Sequence, residues 1–391
     1  MSKRNAQGNG TIRQRSNGRW EARYTTGKDA GTGKQVQRSV YGATQAEVRK
    51  KLTALLKDID GGVYQEPSRL TLAQWLDIWL AEYVKPVAKH NTYASYELMC
   101  RVHIKPNMGA SKLQAVTAYM LQRFFNSLQS GDNGAKPLSP KSIKNCHGVL
   151  HRALATAAEL HYIPFNPADN VKLPRVVRKE IKPLNETQIG AFLKLLEQEP
   201  YKNLYIIALF TGMREGEILG LSWDCIDFTA GTITVKRQLQ REKTKGGQYY
   251  FSTPKSGKPR VLIAANFVMT LLKEEKRTQT ENKLRAGTAW CNPDNLIFTS
   301  ATGQHLAIQT VYLRYKRIAE QLGIPTSRFH DLRHTYAVTA IQEGDDIKTV
   351  QENLGHATAS FTLDVYAHCS DKMKLESKKH MDEYIEAVKR A

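Results

Sequence analysis

Four short stretches of this chain carry side chains whose types and spacing could do chemistry. In RFHDLRHTYAVTA, His330 and Arg333 are three residues apart, so a helix turns them to one side while His334 points further round. His334 alone reads as a packed or hydrogen-bonded core histidine. That plain reading is weaker for His330 with Arg333, because a buried, unpaired guanidinium is costly and calls for an anion. Asp331 is a nearby carboxylate, but a phosphate matches the planar arginine fork better. In TGMREGEILGL, Arg214 follows a glycine turn at the start of a helix, where free backbone N–H groups also favour anions. Glu217, three residues on, can hold that guanidinium; the competing reading is a surface pair worth about 0.3–0.5 kcal/mol. In LGHATASFTLDVYAH, Gly355 ends a helix, His356 sits in the turn and Tyr366 follows ten residues later, in a chain with 17 tyrosines. Lys255, in STPKSGKPR, falls at the tip of a hairpin, where a lysine is usually only solvated; Lys243, Lys245 and Lys258 lie close by in sequence.

The surroundings narrow the anion. The chain has 391 residues, enough for two or three domains. Its hydrophobic content of 41% supports real cores. With 57 Lys and Arg against 37 Asp and Glu, the net charge of +20 favours a polyanion as partner. No stretch approaches the run of roughly 18–20 apolar residues that spans a bilayer, which disfavours a membrane partner. MSKRNAQGNG has no apolar signal region, and the five cysteines form no CxxC pair. A cytoplasmic protein without zinc site or disulfide framework is expected.

The elements that must position these residues can be sketched. GTIRQRSNGRWEARYTTG reads as two strands around the turn Ser16-Asn17-Gly18, and KQVQRSVYG as a third. Thr44 and Glu47 form a capping box on a helix with a Val48, Leu52, Leu55, Leu56 stripe. The sheet is expected to show Arg13, Arg15, Arg19 and Arg23 beside Trp20 and Tyr24, a pattern suited to groove insertion and phosphate contact. GTGK at 31–34 is no phosphate loop, since Gln35 stands where Ser or Thr is required. Gly61-Gly62 and Pro67 mark a linker. In TLAQWLDIWLAEYV, the residues Leu72, Trp75, Leu76, Trp79, Leu80 and Tyr83 share one helical face. Together with NTYASYELMCRVHIKP, AYMLQRFFNSL and SPKSIKNCHGVLHRALATAAEL, this makes a bundle of about four helices. Its last helix puts Lys141, Lys144, His147 and His151 near one side, either a solvated face or one that meets DNA. A proline-rich basic stretch, NPADNVKLPRVVRKEIKP, separates a third region. That region is α+β: mostly helices, with strand-like TITVKRQLQ, QYYFSTPKSGKPRVLIA and LIFTS making a small antiparallel sheet.

Taken in order, TGMREGEILGLSWDCID, HDLRHTYA and LGHATASFTLDVYAH resemble the three hallmark segments of the tyrosine recombinases. MGASKL, SPKSIKNCHGVLHRAL and NPADNVKLP resemble the family's core-binding helical domain, and the three-stranded module resembles an arm-type DNA-binding domain. The layout is similar to temperate-phage and conjugative-transposon integrases rather than to two-domain chromosome-dimer recombinases. The resemblance implies three domains: 1–62 binding arm DNA, 63–172 binding core DNA, and 173–391 catalytic. It implies a metal- and cofactor-free enzyme that integrates and excises a mobile element through a covalent 3′-phosphotyrosyl intermediate and a Holliday junction. Tyr366 would be the nucleophile, with Arg214 and Arg333 neutralising the phosphate. His330 would take the tyrosine proton or bond the phosphate, and His356 would orient it. Lys255 would protonate the leaving oxygen, and Glu217 would support Arg214. DNA contacts are expected from Arg13, Arg15, Arg19, Trp20, Arg23, Lys141, Lys144 and His147. A tetramer on DNA is implied, with exchange of a C-terminal tail whose stripe is Met381, Tyr384, Ile385 and Val388, as are an excisionase and DNA-bending proteins as accessories. A type IB topoisomerase and a catalytically silent DNA-binding regulator are the competing readings.

Overall fold

The computed structural model describes residues 10–28, 31–60, 69–132, 136–177, 182–242, 246–254, 257–355 and 371–390. The chain divides into two compact units, Met1–Val177 and Arg178–Ala391. The expected linker at Gly61-Gly62 and Pro67 lies outside the described residues.

The first unit holds two separate apolar clusters. One belongs to an antiparallel sheet, β1 (Thr11–Gln14), β2 (Trp20–Lys28) and β3 (Gln35–Gly42), in the order β1-β2-β3. Helix α1 (Gln45–Asp60) follows it. The helix starts as its sequence dictates: the Thr44 hydroxyl accepts the Glu47 N–H at 3.2 Å, and the Glu47 carboxylate accepts the Ala43 N–H at 2.9 Å. Ala22, Tyr24, Val48 and Leu52 make the small core, with Ile12, Trp20 and Val40 packed against it. Trp20 and Tyr24 therefore share the α1 side of β2, whereas Arg13, Glu21 and Arg23 occupy the other face. The expectation that arginines and aromatics stand side by side is corrected by the two-residue period of the strand.

The second cluster is the helical bundle. Helix α2 (Leu72–Ile78) runs on as a π-helical segment, Trp79–Val84. Helix α3 (His90–Met99) passes through a second such segment, Cys100–Ile104, into α4 (Lys105–Met108), and α5 (Ala118–Ser130) and α6 (Pro140–Glu159) complete the bundle. Trp75 and Trp79 are core, and their indole N–H groups donate to the Ala153 carbonyl (2.8 Å) and the Thr156 hydroxyl (3.2 Å) of α6. Tyr83, expected on the same face, is 43% exposed, and Val84 is buried in its place. The wider π turn delays the inward position by one residue.

The second unit packs helices about two small sheets. Helices α7 (Glu186–Leu196), α8 (Lys202–Thr211) and α9 (Glu215–Leu219) come first. Strands β4 (Ile226–Asp227), β5 (Thr232–Val235), β6 (Gln238–Arg241), β7 (Tyr249–Ser252) and β8 (Arg260–Ile263) follow. They form an antiparallel β4-β5-β8 sheet and a β6-β7 hairpin. TITVKRQLQ is thus broken at Lys236–Arg237 between two sheets, and LIFTS contributes only isolated bridges, Ser222 to Leu296 and Thr299 to His305. Helices α10 (Asn266–Ala286), α11 (Ile308–Gln321), α12 (Phe329–Gln342), α13 (Ile347–Leu354) and α14 (Asp371–Arg390) complete the unit. One cluster running from Leu184 to Leu332 forms its core. Among the described residues, no helix is long and apolar enough to cross a membrane.

Candidate active site

The site is organised by the C-terminal end of α13. A helix ends with carbonyls that have no partner within it, and its dipole makes that end attractive to cations. Here three arginines from distant parts of the chain supply donors. Arg260 Nε donates to the Asn353 carbonyl at 2.7 Å, Arg333 Nη2 to that of Leu354 at 2.6 Å, and Arg214 Nη2 to that of Gly355 at 3.4 Å. Gly355 closes α13 in the left-handed conformation (φ 62°), and a Cβ there would stand 3.1 Å from the Arg260 side chain.

Arg333 comes from the buried side of α12 and is 2% exposed. Its Nη1 donates to the Gly212 carbonyl at 2.8 Å, so one guanidinium joins the α8 turn to the end of α13. Two backbone carbonyls thus anchor this buried guanidinium. Asp331 instead turns to the start of its own helix, accepting the Arg328 backbone N–H at 2.8 Å and an Arg328 side-chain N–H at 3.1 Å. Gly212, also left-handed (φ 63°), is irreplaceable for a second reason: a Cβ would come within 2.5 Å of the Tyr336 ring.

Arg214 is held from below by Glu217, which is fully buried. The carboxylate accepts Arg214 Nη1 at 2.7 Å and the Arg214 backbone N–H at 3.0 Å. It also takes Arg260 as a two-pronged partner, at 3.0 and 2.6 Å. Burial alone would raise the Glu217 pKa. The Arg260 hydrogen bonds and charge, then the Arg214 charge, overcome it and bring the carboxyl down to about 2. This is no surface pair: one buried carboxylate orients two guanidiniums. Sequence reading missed Arg260. No alternation in the sequence marks it: Arg260 shares its side of β8 with buried Leu262, while the equally apolar Val261 and Ile263 face out.

His330 keeps an exposed face near these cations. Desolvation, then His334, Arg333 and Arg214, lower its pKa to about 4, against a weak upward pull from Asp331. Its ring is therefore neutral at physiological pH and able to accept a proton. His334 is buried rather than turned away from His330: residues four apart share a helix face, and the two rings meet edge-on at 5.0 Å. Tyr336 is a poor nucleophile: burial raises its pKa, and its hydroxyl accepts the Asn353 amide at 3.1 Å. Lys255, His356 and Tyr366 lie outside the described residues, as do Lys243 and Lys245. Two of them flank observed parts of the site in sequence: His356 directly follows Gly355, and Lys255 lies between β7 and β8. Among the described residues, no group of three His, Cys, Asp or Glu is placed to hold a metal ion.

The expected DNA contacts divide. Arg13, Arg15 and Arg23 surround Glu21 on the open face of the sheet, and Arg19 is exposed in the turn. Trp20 packs toward α1 instead. Lys141 and Lys144 are exposed on the first turns of α6, whereas His147 is partly buried, hydrogen-bonded with the Ala168 carbonyl at 3.1 Å and packed on Phe125.

Two family models match the chain: the phage integrase family over residues 182–373, and the phage integrase N-terminal SAM-like domain over residues 71–129. A tyrosine recombinase XerC-like protein of Caldanaerobacter subterraneus subsp. tengcongensis is 29% identical over 367 residues, covering 90% of this chain and 92% of the relative. The ICEBs1 integrase of Bacillus subtilis is 25% identical over 378 residues, covering 96% of this chain and all of the relative. The fold is similar to that of the Tn1549 transposon integrase solved with a circular intermediate DNA. The TM-score is 0.67 at 22% identity, over 79% of this chain and 99% of the other.

Proposed function

Because the chain belongs to the phage integrase family of tyrosine recombinases, we propose that the arginine-lined end of α13 is its phosphodiester-transfer site. The activity is site-specific DNA recombination of a mobile element. One observation carries the assignment of residues: Arg214 and Arg333, far apart in sequence, are anchored on the consecutive carbonyls of Gly355 and Leu354, immediately before His356.

Strand exchange without an external energy source requires that the broken phosphodiester be conserved as another ester. The Tyr366 oxygen attacks phosphorus, the 3′-phosphate becomes a phosphotyrosyl ester, and the 5′-oxygen leaves with a proton from Lys255. The 5′-hydroxyl of a second strand then attacks the phosphotyrosine and frees the phenol, so bonds and charge balance. Negative charge gathers on the non-bridging oxygens in each transition state. The Arg214 and Arg333 guanidiniums, fixed before substrate arrives, lower its energy without reorganising. Glu217 and the carbonyls provide that fixation. Neutral His330 takes the tyrosine proton or bonds the phosphate, and His356 orients it.

The layout supports three domains, 1–62, 63–172 and 173–391, with double-stranded DNA as ligand and the sheet and the α6 lysines as contacts outside the catalytic part. Met381, Tyr384, Ile385 and Val388 of α14 are all exposed, which suits docking of the tail on a neighbouring protomer in a tetramer on DNA. The cytoplasm, at the nucleoid, is the place of action, with an excisionase and DNA-bending proteins as accessories. A supercoiled plasmid carrying both attachment sites of the element tests this reading. Resolution into two recombinant circles supports it; relaxation without recombinants would make the protein a topoisomerase, and neither product would make it a regulator.

A further inference from the structure

The buried carboxylate of Glu21 has no part in the mechanism. Glu21 sits on the middle strand of the N-terminal sheet, on the face away from α1, and is 1% exposed. Arg13 lies opposite it on β1 and Tyr41 opposite it on β3. Glu21 Oε2 accepts Arg13 Nε at 2.7 Å and Arg15 Nε at 3.0 Å. Its Oε1 accepts Arg15 Nη2 at 3.2 Å, Arg23 Nε at 3.4 Å, the Ser39 hydroxyl at 2.7 Å and the Tyr41 hydroxyl at 3.3 Å. The Arg15 and Ser39 hydrogen bonds hold its carboxyl far below the usual range, so it stays charged at every working pH. Glu21 is also the one acid among the described residues of β1 to β3.

A merely basic face has no use for such a group, which subtracts charge where a polyanion should bind. The geometry shows what is gained. Arg13 and Arg23 are gripped through Nε only, so the two terminal nitrogens of each have no partner among the described residues. Both side chains are otherwise exposed. An arginine steered by Nε presents its terminal pair as an oriented fork, the shape that bonds O6 and N7 of guanine in the major groove. Its rotamer freedom is lost on folding rather than on binding.

Resting on the reading that this sheet enters duplex DNA, we propose that Glu21 is a positioning residue that converts Arg13 and Arg23 from loose phosphate contacts into fixed readers of guanine. The unpaired arginines of a Glu21 variant would still bind backbone, which carries no sequence information.

The test is selection of a randomised duplex pool on the full chain, with affinity for unselected duplex measured alongside. Wild type is expected to enrich a guanine-containing motif that the double variant Arg13→Ala, Arg23→Ala does not. Glu21→Gln should lower enrichment of that motif by about tenfold or more, the size of one lost bidentate contact. It should leave binding to unselected duplex equal or tighter, because a negative charge is gone. Glu21→Asp keeps the charge but withdraws its reach, and should lose enrichment likewise. If Glu21→Gln also weakens unselected binding, its sheet has failed to fold and the Asp variant decides. Wild-type enrichment in the deciding variant, or a motif without guanine, would overturn the proposal. Unchanged enrichment in the double arginine variant would instead remove the underlying reading of the sheet.

Discussion

Replacing Glu217 by glutamine tests how the arginines are held. The change preserves volume but removes the one negative charge between Arg214 and Arg260, both largely buried. Two routes give its size. Breaking a buried ion pair by removing one partner costs about 3–5 kcal/mol. A carboxyl whose pKa falls from 4.5 to about 2 on folding contributes roughly 3 kcal/mol at neutral pH, at about 1.36 kcal/mol per pKa unit. For a unit of this size, that lowers the melting temperature by about 6–12 °C. The sign is set by the depressed pKa. The contribution is complete above the unfolded value of 4.5 and is lost as pH falls toward about 2. The gap in melting temperature between wild type and Glu217→Gln should therefore be widest near pH 7 and close as pH drops from 5 toward 3. Thermal melts followed by circular dichroism across that range are the assay. A variant that melts within 1 °C of wild type at pH 7, or a gap that widens on acidification, would refute the role given to Glu217.

Three further outcomes are expected. Arg333→Lys cannot reach both the Gly212 and Leu354 carbonyls, and should slow single-turnover cleavage by about 10²–10³, the usual loss for one preorganised donor, with duplex affinity changed little. In the free enzyme the acid limb set by His330 should lie near its lowered pKa of about 4, so cleavage per enzyme at low DNA concentration should stay flat from pH 8 to 6. A limb near 6.5 that vanishes in His330→Gln would contradict the neutral imidazole. Deleting the chain from Lys378 onward removes the exposed stripe of α14 and should change synapsis and strand exchange more than binding to a single site, as read by native gels of both complexes. Unchanged recombination would return the tail to its own domain.

Much of the fold was legible where local physics governs it. The Thr44–Glu47 box, the tryptophans of the bundle and the glycine turn before Arg214 all follow from short-range patterns. Errors arose where a small change of geometry moves a side chain across a face. Tyr83 turned outward because the helix widens after Ile78, which no apolar period announces. Trp20 went to the core because neighbours on a strand alternate, so it could not share a face with Arg23. Of the proposed site, Arg214, His330 and Arg333 could be singled out from residue type and order. Their anchoring could not: it depends on the carbonyls at the end of α13, which every sequence possesses, and on Arg260, which sits in a strand of misleadingly apolar, outward-facing neighbours.

In the proposed reaction, a phenol oxygen of this chain becomes esterified to a DNA 3′-phosphate. The direct measurement is to trap the protein on a nicked attachment-site duplex in the presence of a chelator, digest the adduct, and locate the nucleotide-bearing peptide by mass spectrometry. The adduct should sit on Tyr366 and be absent from Tyr366→Phe. An adduct on Tyr336 or any other residue, or one formed at full yield by the Phe variant, would contradict it.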